Sequence, residues 1–296
     1  MRTKLRMAIL SRNPNLYSTK RIKEAGERRG HDMLLIDHTK CDIVIEQRKP
    51  QIYYRGRPLR GLDAIIPRIG ASVTFYGAAV IRQFETMKVF SATSSQALVG
   101  SRDKLRSLQL LSSAGLAMPK TVFTNYSKDV DSVIDKVGGA PCVLKLLEGT
   151  QGVGVVLAET TSAARSVLEA FNGLQARVIV QDFIAEAKGA DIRALVVDGV
   201  VVGAMKRQGK EGEFRSNLHQ GGSAQIIQLT AEEEHAALKA TKTLGLGIAG
   251  VDMLQSDNGP LILEVNSSPG LEGIERATGK NIAKAVIRYI ERKIDL

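Results

Sequence analysis

The chain has 296 residues, with 41 Lys+Arg against 31 Asp+Glu for a formal net charge of +10. Hydrophobic residues at 44% and charged residues at 24% sit near the globular average, which excludes a disordered, collagenous or coiled-coil chain. A chain this long can bury roughly 75% of its extended surface, enough for one large or two medium domains. Its two cysteines, Cys41 and Cys142, are too far apart in sequence to frame a disulfide scaffold or a Cys-based zinc site, so a reducing cytosol is the expected compartment.

The basic start, Met1 to Arg6, is followed by an apolar run of only Met7 to Leu10, too short for a signal peptide and suited to a first strand. No stretch approaches the ~18 apolar residues of a membrane span, so neither secretion nor a membrane is expected. The charge is uneven: residues 1–70 carry 16 Lys+Arg against 7 Asp+Glu, leaving the remainder nearly neutral. A basic face of this kind attracts RNA or a glutamate-rich peptide, or is simply solvated. With no Trp and 13 Phe+Tyr, the stacking partners that RNA recognition uses are scarce.

In chain order, the strand signal Leu5–Leu10 leads through the turn cluster Ser11 to Pro14 into an amphipathic helix, Leu16–Arg29, closed by Gly30; a second strand, Met33–Ile36, follows. Ala64–Pro67 and a helix over Val73–Met87 continue the alternation, which predicts a parallel sheet with packed helices. The first strand-to-helix turn lacks Gly-x-Gly-x-x-Gly, so nicotinamide chemistry loses its main support. A domain boundary is expected between Val89 and Gly100, then a helix over Ser101–Gly115 with Ser101 as N-cap. Beyond it, short Val/Ile/Leu runs at 143–147, 153–157, 178–180, 195–202, 224–229, 250–254 and 261–265 alternate with helices near 127–137, 161–172, 230–244 and 280–293. That is a mixed α+β region.

Three constellations carry chemistry. In Lys145 to Gly154 a strand ends in lysine, and Gly149, Gly152 and Gly154 leave backbone N–H groups free to approach an anion. The lysine precedes the glycines and no Lys-Ser/Thr follows, so this is not a Walker A motif; read structurally, it is a Gly-rich turn. Asp252 and Glu264 fall on two predicted strands joined around Ser256 to Gly259, and Glu264 and Asn266, two apart, share a face. Carboxylates on otherwise apolar strands are costly without a cation, a need that magnesium bound through oxygens would meet; the plain alternative is a pair of exposed hairpin charges. The third set is Lys206-Arg207 and Arg215-Ser216-Asn217. Asp198-Gly199 is a hairpin signal that places Arg193 and Lys206 on paired strands leading to this basic loop, which suits an anionic substrate or is a solvated surface. The histidines lack metal-ligand spacing.

In this order the elements resemble the ATP-grasp superfamily, and most closely its RimK-type α-L-glutamate ligases. The strings that carry the resemblance are Pro67-Arg68-Ile69-Gly70, Thr74 to Gly77, Ser101 to Arg106, Glu148 to Gly152, Asp191-Ile192-Arg193, Phe214 to His219, Gly250-Val251-Asp252 and Glu264 to Glu275, nearly the whole chain. Gln181-Asp182-Phe183 stands where the family has Gln-Glu-Tyr, and Ser91 to Gln96 replaces a Pro-Leu-Asn-Glu-Ser-Val run.

The resemblance implies an α/β N-terminal domain with a parallel sheet over residues 1–100. An α+β ATP-grasp fold of two subdomains would follow over 101–296, divided near 183. It implies adenine against Asp182 and Phe183, ribose near Asp191, and phosphates neutralised by Lys104 and Lys145 under a loop of Gly149, Gly152 and Gly154, with Arg215, Ser216 and Asn217 nearby. It also implies Mg²⁺ or Mn²⁺, two ions, on Asp252, Glu264 and Asn266, with Arg207 and Arg215 screening a substrate carboxylate. The implied reaction adds free glutamate to the C-terminus of an acceptor protein through an acylphosphate, releasing ADP and phosphate. The acceptor would be ribosomal, the sixth small-subunit protein, with poly-α-glutamate a possible further product, and the assembly a homotetramer. A small-molecule acceptor, or a basic ribosome- or RNA-binding module that senses ATP, are the alternatives; nucleic acid is not the expected substrate.

Overall fold

The structure is a computed structural model that describes residues 4–124, 129–147, 154–210, 214 and 222–295. Its first unit runs β1 (Arg6–Leu10), α1 (Tyr17–Arg28), β2 (Asp32–Ile36), β3 (Cys41–Val44), β4 (Gln51–Tyr54), β5 (Arg57–Pro58), β6 (Ala64–Pro67), α2 (Thr74–Thr86), β7 (Phe90–Ser91) and α3 (Ser95–Arg102). The strands order β2-β1-β6-β7, all parallel, as α/β alternation requires when each strand returns through a crossover. Strands β1 and β6 read as unbroken apolar runs because both faces are covered. The antiparallel meander β3-β4-β5 goes beyond the sequence reading. It docks on α2 through Tyr76, which donates to the Cys41 carbonyl at 2.5 Å, and Gln83, which donates to the Val44 carbonyl at 2.9 Å.

The second unit contains α4 (Lys104–Ser113), β8 (Thr121–Phe123), α5 (Val130–Val137), β9 (Cys142–Leu146), β10 (Val155–Ala158), α6 (Thr161–Gly173) and β11 (Val178–Asp182), with sheet order β10-β9-β11-β8. Helices α5 and α6 cover this antiparallel sheet around Val133, Ile134, Cys142, Leu144, Leu168 and Val180. The third contains β12 (Ala190–Val197), β13 (Val200–Gln208), β14 (Ser223–Ile226), α7 (Ala231–Thr243), β15 (Ile248–Ser256), β16 (Gly259–Asn266), α8 (Glu272–Thr278) and α9 (Ile282–Ile294), with order β14-β13-β12-β15-β16. Helix α7 packs on one face over Ile192, Ala194, Val251, Met253 and Ile262. The other face joins α8, α9 and the first sheet in a single core in which Met7, Ile9 and Ile22 meet Leu195, Met205, Ile274 and Val286. The last helix therefore shares a core with the first sheet, and the two halves are clamped from both ends of the chain. Among the described residues no helix is long and apolar enough to cross a membrane.

One sequence expectation is corrected. The helix expected over Ser101–Gly115 is broken at Asp103, whose φ of −78° and ψ of 100° are extended. Ser94 caps α3 by accepting from the Ala97 N–H, and Asp103 caps α4 by accepting from the Arg106 N–H at 3.0 Å. Ser101 is no cap: it lies inside α3 and its hydroxyl donates to the Leu98 carbonyl. Aspartate is as strong an N-cap as serine, and a new helix starting at 104 re-aims Lys104 relative to Arg102. The stop at Gly115, φ +71°, is as read from the sequence.

Candidate functional site

Strand register builds the first part of the site. Across the third sheet Asp191 faces Arg207, Arg193 faces Asp252, and Asp252 faces Glu264, so the five side chains form a row on one face of β13, β12, β15 and β16. Farther along β12 and β13, the same face carries Leu195, Val197 and Met205 into the core; one sheet surface is half core and half site. Glu264 reaches the row through a β-bulge: Met253 pairs with Ile262 but Asp252 with Glu264, skipping Leu263. Strict alternation would have put Glu264 beside Ile262 under α7; the extra residue turns it, and Asn266 after it, toward Asp252.

The row is tightly paired. Arg193 grips Asp252 in a bidentate fork, 2.6 Å from Nε to Oδ1 and 2.5 Å from Nη2 to Oδ2. Arg207 grips Asp191 in the same way, Nε to Oδ1 at 2.6 Å, and its Nη2 also lies 3.1 Å from Asp252 Oδ2. Asp191, Arg207 and Asp252 are buried. Burial pushes the Asp252 pKa up, but Arg193 and Arg207 outweigh it and hold the carboxyl below its ordinary value. Burial likewise opposes the charge on Arg207, and Asp252 and Asp191 more than restore it. Glu264, by contrast, is exposed.

The second part comes from the neighbouring sheet and from α4. Lys104, at the first position of α4, donates to the Leu146 carbonyl at 2.9 Å, and Lys145 on β9 donates to the Gln181 side chain, itself held by Thr121. Burial lowers the Lys145 pKa to about 8, with Lys104 reinforcing and Glu264 opposing; burial lowers Lys104 and Arg102 too, again with Glu264 opposing. Glu264 thus acts on both lysines and on Arg102. Gly154 has φ +75°, and a Cβ there would stand 2.5 Å from Leu146 Cδ1, so only glycine fits this close crossing of β9 and β10. Asp182 ends β11, its N–H bonded to the Lys120 carbonyl, and it and Phe183 are part-exposed at the strand end. Gly149, Gly152, Arg215, Ser216 and Asn217 lie outside the described residues.

The model for the RimK-like ATP-grasp domain matches residues 101–290, and the model for the RimK PreATP-grasp domain matches residues 5–98. The chain belongs to the RimK family of ATP-grasp α-L-glutamate ligases. Curated relatives named probable alpha-L-glutamate ligase include one from Azotobacter vinelandii, 59% identical over 291 residues that span 98% of this chain and 97% of the relative. Another, from Hahella chejuensis, is 60% identical over 289 residues, 98% and 95% of the two chains. Among solved structures, the ATP-grasp ligase PsnB complexed with precursor peptide PsnA2 and AMPPNP matches with TM-score 0.77 at 20% identity over 100% of both chains. A RimK domain protein from Sphaerobacter thermophilus matches with TM-score 0.72 at 21% identity, covering 96% and 99%. These likenesses establish the fold.

In this RimK-family chain the candidate metal residues form a compact oxygen-rich set. Asn266 Nδ2 is 2.9 Å from Glu264 Oε1 and 3.5 Å from Asp252 Oδ2, so a donor already sits between the two carboxylates where a cation would lie, and rotation of the amide would offer its oxygen instead. Hard oxygen donors, few in number, fit an ion that keeps water and phosphate ligands. Among the described residues no group of three or more His, Cys, Asp or Glu forms an alternative metal cluster.

Arg207 was expected to screen a substrate carboxylate and Asp191 to touch ribose; in the structure both are buried and Arg207 pairs with Asp191 and with Asp252. Arg207 and Asp191 face one another across β12 and β13, and a desolvated guanidinium takes the carboxylate in register with it. Sequence reasoning missed Arg193 as the partner of Asp252, Gln181 as the partner of Lys145, and any role for Arg68 and Arg102. Hairpin parity from Asp198-Gly199 was the available signal for Arg193; nothing local pointed to the others.

Proposed function

We propose that this chain is an ADP-forming carboxylate–amine ligase that adds glutamate residues to the C-terminus of a protein acceptor of the ribosomal class. The reading is supported above all by one juxtaposition: Lys104 and Lys145, from separate elements, point into the same field as the Asp252–Glu264–Asn266 cluster. Two lysines beside a carboxylate pair, with a Gly-rich stretch following Lys145 in the sequence, suit a triphosphate.

The acceptor carboxylate attacks the γ-phosphorus of ATP, ADP departs, and an acylphosphate results. The amine of free glutamate then attacks the acyl carbon, gives up a proton and expels phosphate as the amide forms. Lys104 and Lys145 would counter the phosphate charge beneath Gly149, Gly152 and Gly154, with Asp182 and Phe183 at the adenine end and Ser216 and Asn217 at the phosphate end. Two anions about 4 Å apart repel by roughly 4 kcal/mol at an effective dielectric of 20, so the attacking carboxylate needs screening; Arg215 is the residue assigned to it. Asp191, Arg207 and Arg193 act one step back, holding Asp252 ionised and oriented. Asp252, Glu264 and Asn266 would hold Mg²⁺ or Mn²⁺, in two ions, which supply further neutralisation of the triphosphate. Residues 1–100, 101–183 and 184–296 are the units of this proposal, and a homotetramer its assembly, which light scattering tests.

The acceptor side draws support from the peptide-bound state of the PsnB neighbour and from the basic first unit, where Arg28, Arg57 and Arg60 are exposed. Arg29 does not belong to that face: it is bound to Glu291. The test is incubation with ATP, Mg²⁺ and glutamate, with and without ribosomal protein, reading ADP and product masses. Acceptor masses rising in steps of one glutamate residue support the reading. Poly-α-glutamate alone moves the acceptor to glutamate itself, and no ADP under any condition defeats it.

A further inference from the structure

Next to the paired row, two guanidinium groups come together with no carboxylate of their own. Arg68 follows β6 at the C-terminal edge of the parallel sheet, its N–H bonded to the Leu10 carbonyl; Arg102 ends α3 and donates through Nη2 to the Ile69 carbonyl at 2.6 Å. They are near enough that the Arg102 charge adds to burial in lowering the Arg68 pKa to about 10. Among the described residues the Arg68 side chain has no hydrogen-bond or ion-pair partner. The Arg102 Nε is fully enclosed and bonds nothing, and the same is true of the hydroxyls of Ser267 and Ser268. Ser267 and Arg68 line one small chamber with Thr93 and Pro67, about 10 Å³ and large enough for about one water. Arg68 remains partly open to solvent, so a ligand would meet this group at the rim.

Buried polar atoms without partners are rare in folded proteins, and here three side chains from two halves of the molecule, Arg102, Ser267 and Ser268, supply them, with Arg68 unpartnered at the rim. Guanidinium groups are donors only and hydroxyls can donate, so the missing partner is an acceptor, and two neighbouring guanidinium charges favour one that is negative. A planar carboxylate matches the guanidinium fork in two parallel bonds. The position is specific: Ser267 directly follows Asn266, and Arg102 is one residue before the Asp103 cap of the Lys104 helix and within the field of Glu264.

We propose that Arg68 and Arg102, with the hydroxyls of Ser267 and Ser268, form a carboxylate subsite on the parallel-sheet side of the cleft that receives a non-reacting carboxylate of a glutamyl substrate. The proposal rests on the glutamate-ligase reading for the identity of the substrate. The carboxylate belongs either to free glutamate or to the last residue of the acceptor, and the experiment separates these sources.

Calorimetric titrations of the full chain with L-glutamate, with a peptide ending in glutamate, with inorganic phosphate and with ADP, Mg²⁺ being present, are compared for the natural protein, Arg68→Gln, Arg68→Lys and Ser267→Ala. Loss of a charge-assisted hydrogen bond predicts about 10- to 100-fold weaker binding of one carboxylate ligand to Arg68→Gln. Partial recovery in Arg68→Lys and ADP affinity within about twofold are expected with it. Ser267→Ala, which removes an unpartnered hydroxyl and leaves both guanidinium groups in place, is the second variant and should weaken the same ligand by about threefold. Weakening for glutamate assigns the subsite to the incoming amino acid, and weakening for the peptide assigns it to the acceptor. Equal binding by all variants, no carboxylate binding by the natural protein, or phosphate and ADP weakened alongside would overturn the subsite. Arg68-dependent glutamate binding without any ligated product sinks the ligase reading and leaves the subsite standing; product formation with Arg68-independent binding does the reverse.

Discussion

Buried charge is handled differently at the seam between the chain ends and at the cleft. At the seam, α1 and β2 meet α8 and α9. There Glu275 accepts from Arg21 at 2.9 Å, Tyr17 at 2.9 Å and the Ala283 N–H at 3.0 Å, and Glu291 binds Arg29 and His31. Each guanidinium there has its carboxylate, and the cluster is complete. At the cleft, Arg193 and Arg207 share Asp252 and Asp191, but among the described residues the Arg68 side chain has no carboxylate partner and the Arg102 Nε makes no hydrogen bond. The same residue types therefore serve as a fastener in one place and a receptor in the other. What separates them is the surplus: a self-neutral cluster lowers its energy without a ligand, whereas an unbalanced one is relieved when an anion arrives.

The largest effect should come from removing the exposed carboxylate of the cleft. Glu264→Ala is expected to lower ADP release roughly a thousandfold while the melting temperature hardly moves, since Glu264 is exposed; ADP release at the natural rate would sink the metal assignment. Asp252→Ala should lose the same activity and unfold more easily, by about 3–5 kcal/mol in urea titrations, because it strips the counter-ion from two guanidinium groups. A purely functional Asp252 would have left stability alone.

Glu275→Ala probes the complete cluster, with an expected cost of about 3 kcal/mol and unchanged ADP release per folded molecule. Burial pushes the Glu275 pKa up, but Arg21, the Ala283 N–H and Tyr17 prevail and hold it below its ordinary value of 4.5. The unfolded chain takes up this proton first as pH falls. The stabilisation is thus complete above the ordinary value and fades as pH drops through the folded one, and in Glu275→Ala that share of the acid sensitivity should vanish from urea midpoints. At the cleft, Lys145 with a pKa of about 8 should make nucleotide affinity fall by up to about tenfold as pH rises from below to above that value, a dependence that Lys145→Arg removes. The smallest effect belongs to Lys206, beside Arg207 but facing outward to Gln255. Lys206→Ala should leave ADP release unchanged and shift stability by less than about 0.5 kcal/mol, where Arg207→Ala, one residue on, costs several.

Much of the scaffold was legible because its signals are local. Alternating apolar runs located β1, β2 and β6, and the spacing of two put Glu264 and Asn266 on one face, as their 2.9 Å contact bears out. The β3–β5 meander was not read: its strands are only two to four residues long, and α2 packs against them. The break at Asp103 was missed because two good caps compete within ten residues and only packing of α3 against α2 decides between them. Arg29 illustrates the same limit. In sequence it is one more residue of a basic stretch; in the fold it is a partner of Glu291, 262 positions away.

By itself the sequence determined the turns and the chemistry they bring together. Asp198-Gly199 takes positive φ at both residues, and Gly259 takes φ +97°, because steric limits on φ act within one or two residues. Tertiary structure decided which charge meets which. Asp252 rather than solvent holds Arg193, Arg207 turns inward while Lys206 turns out, and one bulged residue carries Glu264 from the core face to the site. Those outcomes depend on strand order and on desolvation. A buried ion accepts only the partner that register places opposite it, and no stretch of neighbouring residues encodes that pairing.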